Sequence, residues 1–152
     1  MRPSISRAIL GGFVGTVLIT VTMYYVAPVL LGYPMDIAQL LAPVAATWTG
    51  GMIVHFINGT VLFPLIYAAF LYRYLSGSPT LRGVYFGVAL WLIAQVFVVP
   101  ALGGGFFSAQ SGGFVAVMGS LLGHLLYGAA LGAIANGPQL VMVGREPLAH
   151  GR

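Results

Sequence analysis

The stretch RAILGGFVGTVLITVTMYYVAPVLL occupies residues 7–31 and carries no charged side chain after its first residue. A helix of roughly 20 apolar residues crosses the ~30 Å hydrocarbon core of a bilayer, so this stretch is long enough to span a membrane. Three further runs of the same kind follow it. The four predicted spans cover about residues 7–31, 47–72, 82–102 and 113–136. The sequence therefore predicts an all-α integral membrane protein with one four-span domain over residues 1–136.

The composition agrees with a membrane protein. Hydrophobic residues make up 59% of the chain and charged residues 5%, against about 25% charged in soluble domains. The apolar runs are continuous and do not alternate, which excludes a β-barrel. With no cysteine, thiolate metal sites and iron–sulfur clusters are excluded. We expect the lipid bilayer as the main partner and no nucleic acid, because no basic soluble domain is present.

The basic residues predict the orientation. All six are arginines, at positions 2, 7, 73, 82, 145 and 152. They lie before the first span, around the connection between the second and third spans, and in the tail. By the positive-inside rule, both termini are cytoplasmic and the loops near residues 34–46 and 103–112 face outward. The net charge of +4 thus reflects membrane topology.

The two halves of the chain share a glycine and proline pattern. Gly11, Gly15, Pro28 and Gly32 recur 72 residues later as Gly83, Gly87, Pro100 and Gly104. The pattern predicts two tandem helical hairpins that enter the membrane in the same direction, related by a pseudo-two-fold axis along the membrane normal. We therefore expect a four-helix bundle built from an internal repeat.

Within this repeat, the pairs Gly11 with Gly15 and Gly83 with Gly87 have the spacing that lets helices approach closely, and we interpret them as helix-packing positions. The prolines lie near the outer ends of their spans and are expected to end or kink the helices there. Residues 36–42 are predicted to form a short interfacial helix with Asp36 as its N-cap.

Two histidines lie inside apolar spans in matching settings. His55 is flanked at four residues by Gly51 and Gly59. His124 is flanked in the same way by Ser120 and Gly128. An ionisable residue at membrane depth is costly and usually marks a site. These histidines are the first candidates for function, although a purely structural role in hydrogen bonds between helices is equally open.

Haem b is the candidate cofactor for the histidine pair. In an up-down bundle the second and fourth helices are diagonal neighbours, so His55 and His124 could approach one iron from opposite sides. The small flanking residues would then leave clearance for the macrocycle. The two histidines with Met52 or Met118 nearby could instead hold a soft copper ion, but two imidazoles and one thioether are fewer donors than a closed site needs. A chain with no cofactor, or with a proton relay, remains an alternative.

The depth of the two histidines is uneven when it is counted along the sequence. His55 precedes Arg73 by 18 residues, whereas His124 precedes Asn136 by 12. At ~1.5 Å per residue the two could differ in depth by about 9 Å. A shared ligand requires the fold to remove most of this difference.

Catalysis and transport have little support in the sequence. Asp36 and Glu146 are the only acids, and neither lies within a span. No acid–base pair is placed in the membrane, as a transporter or proton pathway would require. We therefore expect no enzyme, but a small accessory or scaffolding subunit of a larger membrane complex, with other membrane subunits or copies of itself as partners. A respiratory or electron-transfer complex is the natural host, and a haem b electron carrier is the alternative.

Four short motifs carry a resemblance to a known family. They are Met35-Asp36-Ile37-Ala38, Val54-His55-Phe56-x2-Gly59, Leu81-Arg82-Gly83-x3-Gly87 and Gly123-His124-Leu125-x-Tyr127-Gly128. Over about residues 8–136 the chain resembles an uncharacterised bacterial family of small four-helix membrane proteins. The resemblance implies the bacterial inner membrane and a shared role for the two histidines. Residues 137–152 lie outside it and are expected to form a polar cytoplasmic tail.

Overall fold

The computed structural model describes residues 3–136, and within that range the chain is helical with connecting loops. Its five helices are α1 (Ile5–Leu31), α2 (Ile37–Ala45), α3 (Trp48–Tyr74), α4 (Pro79–Ala101) and α5 (Gly113–Asn136). All but α2 are long and apolar enough to cross a membrane. The predicted tail, residues 137–152, lies outside the described residues. This is the architecture of a multi-pass membrane protein.

The helices pack around α1 and α5. Helix α5 packs along both α1 and α4, and α1 also packs on α3. Helices α3 and α4 touch mainly through residues 67–71 of α3. The opposite end, where residues 32–47 and 102–112 lie, is called the loop end below. Because α3 and α4 make few contacts toward the loop end, space remains there between the four long helices.

The short helix α2 begins as the sequence predicts. The Asp36 side chain accepts a hydrogen bond from the Gln39 N–H at 2.9 Å, which caps the helix. Helix α2 packs against α3, where Gly51 lies so close to the Ala38 carbonyl that a Cβ atom would come within 2.1 Å of its oxygen. The helix is thereby held beside the loop end of α3.

Three prolines of the long helices follow π-helical turns, and Pro100 lies one residue before the end of its helix. Each of three long helices contains a π-helical turn, at Thr22–Val26, Asn58–Leu62 and Ala94–Val98, followed two residues later by Pro28, Pro64 or Pro100. A proline ring clashes with the carbonyl four residues earlier, and the wider π turn relieves this clash. Helices α1 and α4 continue beyond their prolines to Leu31 and Ala101. The turns in α1 and α4 recur at the same 72-residue offset as the glycines.

The π turn that precedes Pro64 leaves one carbonyl of α3 without a donor from its own helix. The Phe63 N–H bonds the Asn58 carbonyl, and Pro64 has no N–H, so the Gly59 carbonyl lacks these helical donors. The buried Tyr127 hydroxyl of α5 donates to it at 2.7 Å. This hydrogen bond joins the diagonal helices α3 and α5.

We expect Tyr127→Phe to lower the free energy of unfolding by about 1–2 kcal/mol, because it leaves a buried carbonyl without a donor. Thermal unfolding of the detergent-solubilised protein, followed by circular dichroism, measures the change. Tyr85→Phe is the control, since that ring is exposed on α4. Equal stabilities of the two variants would contradict the role assigned to this hydrogen bond.

Both glycine pairs pack against the same helix. A Cβ atom on Gly11 or Gly15 would meet the backbone of α5 at Leu131 or Tyr127, and one on Gly83 or Gly87 would meet it at Gly128 or His124. A strict pseudo-two-fold axis would exchange the two hairpins. Because α1 packs on α5, α4 would then pack on α3 in the same way. The two hairpins therefore share local features but make unequal contacts.

Candidate functional site

A cavity of about 430 Å³ lies at the loop end, between the four long helices and beneath α2. We call it the central cavity. Its polar and sulfur-bearing lining residues are Met23, Tyr33, Met35, Asp36, Gln39, His55, Gln95, Ser108, Ser111, Ser120 and His124. The remaining lining residues are mostly apolar. The two histidines predicted as a site thus line one cavity.

The ring of His124 is oriented by its own helix. Its Nδ1 lies 2.8 Å from the Ser120 carbonyl oxygen, which can only accept a hydrogen bond. Nδ1 therefore carries the proton, and Nε2 keeps a free lone pair. An imidazole that donates from one nitrogen to a carbonyl and presents the other is the usual form of a metal-ligating histidine.

The ring of His55 has the opposite arrangement. Its Nε2 lies 3.0 Å from the Thr20 hydroxyl of α1. That hydroxyl donates its single proton to the Thr16 carbonyl at 2.6 Å, so toward His55 it accepts. Nε2 therefore carries the proton, and Nδ1 is the nitrogen with the free lone pair. The pair offers one Nδ1 and one Nε2, an asymmetry that the sequence motif does not reveal.

The small residues beside the histidines do not play the role predicted for them. Ser120 lines the cavity and orients His124. The spaces beside the three glycines are filled by protein: the Ala38 carbonyl lies against Gly51, Thr16 against Gly59, and Gly83 against Gly128. These glycines permit close helix packing and leave no clearance for a ligand, which corrects the interpretation from sequence.

The methionines considered as ligands from the sequence are not the ones that line the central cavity. The lining residues of the central cavity include Met23 and Met35, whereas Met52 and Met118 are absent from them. The sequence holds a partial signal for Met23, because Met23 follows Thr20 by three residues and so lies on the same face of the helix. Met35 stands in one of the family-like motifs, directly before Asp36.

The mouth of the cavity carries a negative charge. Asp36 accepts hydrogen bonds from Tyr24, from the Gln39 N–H and from the Trp48 indole, whose Nε1 lies 2.9 Å from Oδ2. Burial alone would raise the pKa of Asp36, but these hydrogen bonds favour the ionised form and lower it below 3.8. No arginine or lysine is among the described residues that line the cavity. The mouth therefore favours a cationic ligand.

The lowered pKa of Asp36 predicts an acid transition at the mouth. The charged carboxylate stabilises the loop end above pH 3.8, and this contribution is lost as the pH falls through the lowered pKa. We expect Trp48 fluorescence to change with a midpoint below pH 3.8, measured in Trp91→Phe protein so that Trp48 alone reports. Asp36→Asn keeps the cap but removes the charge and should abolish the transition. A midpoint above pH 3.8 would contradict the assignment.

The loop at residues 102–112 closes the other side of the cavity. Ser108 has a φ of 54°, which is rare for a residue with a side chain. Its hydroxyl donates to the buried Gln95 side chain at 2.9 Å, and both residues line the cavity. This hydrogen bond holds the strained turn against α4. The loop is fixed to the wall of the site by side chains as well as by backbone contacts.

Comparisons with known proteins give a family and no activity. No curated protein and no solved structure matches the chain. A family model matches residues 2–138, which covers all of the described helices. The chain belongs to that family, a family of unknown function designated DUF6789.

Proposed function

We propose that this chain is a small subunit of a larger membrane assembly and holds a metal-bearing group between His55 and His124. The observation that carries the proposal is that both histidines line one cavity, each with one ring nitrogen free to act as a ligand. Half-buried imidazoles with defined tautomers are typical of ligand sites. A respiratory or electron-transfer complex of the bacterial inner membrane is the proposed host.

The proposed orientation places the site on the outer side of the membrane. Within the described residues, Arg7, Arg73 and Arg82 lie away from the loop end. The positive-inside rule then places the termini in the cytoplasm and the mouth of the cavity outside. In this arrangement the four long helices form the membrane bundle, and α2 lies at its outer surface.

The glycine pairs, interpreted from sequence as helix-packing positions, are used for packing within the chain. What supports a subunit role is that no aspartate or glutamate lies in the described spans. A host assembly would supply the reaction that the held group serves.

Haem b ligated by both histidines is the alternative, and the free Nε2 of His124 favours it. Two features oppose it. The Nε2 of His55 is engaged by Thr20, and the mouth presents Asp36 without any arginine to pair with haem propionates. Haem therefore ranks below a metal ion for this site.

Purification in mild detergent tests the proposal. We expect the native protein to retain a metal or haem, detected by elemental analysis and by its absorption spectrum, and to elute with other chains. His55→Ala and His124→Ala should lose the bound group, while His150→Ala serves as the histidine control. A protein that neither retains nor takes up metal or haem would contradict the site, and a monodisperse free monomer would contradict the subunit.

A further inference from the structure

We infer that the central cavity binds one monovalent copper ion, with His55, His124, Met23 and Met35 as its ligands. The inference rests on the proposed function, because it names the group that the same histidines hold. Thioether sulfur is a soft, neutral donor that selects Cu(I) among biological metals. The four side chains come from α1, α3, α5 and the segment before α2, so one ion would join all of them.

The donor set excludes the commoner metals. The residues that the structure describes contain no group of three or more histidine, cysteine, aspartate or glutamate side chains suited to a metal. Zinc, magnesium and calcium sites require such groups. The oxygen-bearing side chains Asp36, Gln95 and Ser108 of the lining are engaged in hydrogen bonds, so sulfur is the donor left to complete a shell begun by two imidazoles. The two cavity methionines supply that sulfur.

Both methionines contact α5 within the turn and a half that precedes His124. A Cβ atom on Gly119 would lie 2.4 Å from the Met35 sulfur, and one on Gly123 would lie 3.0 Å from the terminal methyl of Met23. Gly123 precedes His124 directly. Met35 also packs against the buried cluster that contains Met23. Both methionine side chains therefore lie against the turn and a half of α5 that precedes His124.

Helix α1 carries both Met23 and Thr20, the residue that bonds the His55 imidazole. Thr20 holds the His55 ring, and Met23 lies three residues later on the same helix face. Met23 is buried, with 4% of its surface exposed, yet it lines the cavity. An unbranched methionine has three rotatable bonds and can adjust its sulfur toward an ion without moving the helix.

Charge favours a monovalent over a divalent ion. All four proposed ligands are neutral, so the bound ion keeps its full charge in a cavity with mostly apolar walls. The cost of burying a charge rises steeply with its magnitude, because the ion loses its hydration. One carboxylate, Asp36, lies at the mouth and balances a single positive charge. Asp36 would also raise the local concentration of the cation before it enters.

The test is a competition between the detergent-solubilised full chain and bathocuproine disulfonate, a coloured Cu(I) chelator, under anaerobic conditions. We expect one Cu(I) per chain. Met23→Leu and Met35→Leu should each weaken Cu(I) binding by at least about tenfold, since each removes a ligand. Met52→Leu and Met118→Leu are matched controls outside the cavity and should leave binding unchanged.

Two further measurements keep the inference testable if a methionine variant unfolds. X-ray absorption at the copper edge should show sulfur as well as nitrogen around the ion in the unmodified protein. Asp36→Asn, which retains the helix cap, should slow Cu(I) uptake, and added salt should remove the difference. A copper spectrum without sulfur, or uptake unaffected by Asp36→Asn, would overturn the inference.

The outcomes separate this inference from the proposed function. Copper or haem binding that requires His55 and His124 but ignores Met23 and Met35 overturns the copper site and leaves the histidine site standing. Absence of binding by Cu(I), Zn(II) and haem overturns both. If binding is lost equally in the cavity variants and in the Met52→Leu and Met118→Leu controls, the X-ray absorption spectrum of the unmodified protein decides, and a spectrum without sulfur overturns the copper site.

Discussion

Replacement of Gly83 by alanine should destabilise the fold more than any other single methyl group added to it. A Cβ atom at this position would lie 2.0 Å from the Gly128 carbonyl oxygen and 2.7 Å from the Gly132 backbone. These neighbours are backbone atoms of α5, so no side-chain rotation can make room. We expect a loss of about 3 kcal/mol or more in the free energy of unfolding, at the upper end of overpacking costs. Larger residues at position 83 should prevent folding.

The reason for this large effect lies in how α4 is attached. Its main contacts are with α5, and it meets α3 only near one end, so separation of α4 from α5 would release most of the helix. Gly128 faces Gly83 reciprocally, with its own missing Cβ 2.2 Å from the Gly83 carbonyl. The two glycines act as one contact, and Gly128→Ala should match Gly83→Ala.

Unfolding in detergent, followed by circular dichroism and by elution volume, measures this prediction. Ala89→Leu is the matched control, because it adds a larger group to the exposed face of the same helix. We expect its stability to stay within about 0.5 kcal/mol of the unmodified protein. A Gly83→Ala protein as stable as the Ala89→Leu control would mean that α4 and α5 are not in backbone contact.

The spans could be predicted from sequence because bilayer thickness sets the length of each apolar run. The first predicted span, residues 7–31, corresponds to Ile5–Leu31, and the second, residues 47–72, to Trp48–Tyr74. The prolines were harder to interpret. Pattern alone suggests that a proline ends or kinks a helix, and α4 does end one residue after Pro100, but the π turns that precede Pro28 and Pro100 carry no signal in the sequence.

The site could be predicted only in part. A histidine in an apolar run is conspicuous, so His55 and His124 can be found without a structure. Met23 and Met35 carry only the weak signals of helix spacing and of one family-like motif, because a methionine is common among apolar residues and the fold must show which cavity it lines. The count of residues to the cytoplasmic ends also suggested a depth mismatch of about 9 Å. The structure nevertheless brings both histidines to the lining of one cavity.

The glycines beside His55 show why sequence spacing misleads. A small residue four positions from a histidine signals that something approaches the helix closely, and the sequence does not say whether it is a cofactor or another helix. In the structure it is a helix: a Cβ atom on Gly59 would lie 2.1 Å from the Thr16 hydroxyl oxygen of α1. Compensating substitutions can distinguish these two explanations.

We expect Gly59→Ala to cost about 2–3 kcal/mol, and Thr16→Ala, introduced together with it, to recover at least about 1 kcal/mol of that loss. Thr16→Ala removes the hydroxyl and the methyl group, and leaves only its Cβ atom, 3.2 Å from the added carbon. Thr16→Ala alone should destabilise, because Thr16 is fully buried. The recovery would therefore appear as a favourable coupling in a double-mutant cycle measured by detergent unfolding.

Thr22→Ala is the control partner, since Thr22 is a buried threonine of the same helix that does not contact Gly59. Its effect should add to that of Gly59→Ala without coupling. If Gly59 serves helix packing, the double variant Gly59→Ala with Thr16→Ala should also bind the same metal or haem as the unmodified protein. The reason is that neither Gly59 nor Thr16 lines the central cavity. If Thr16→Ala gives no recovery and the double variant loses the bound group, then Gly59 provides room for a ligand, and the clearance suggested by the sequence motif is restored.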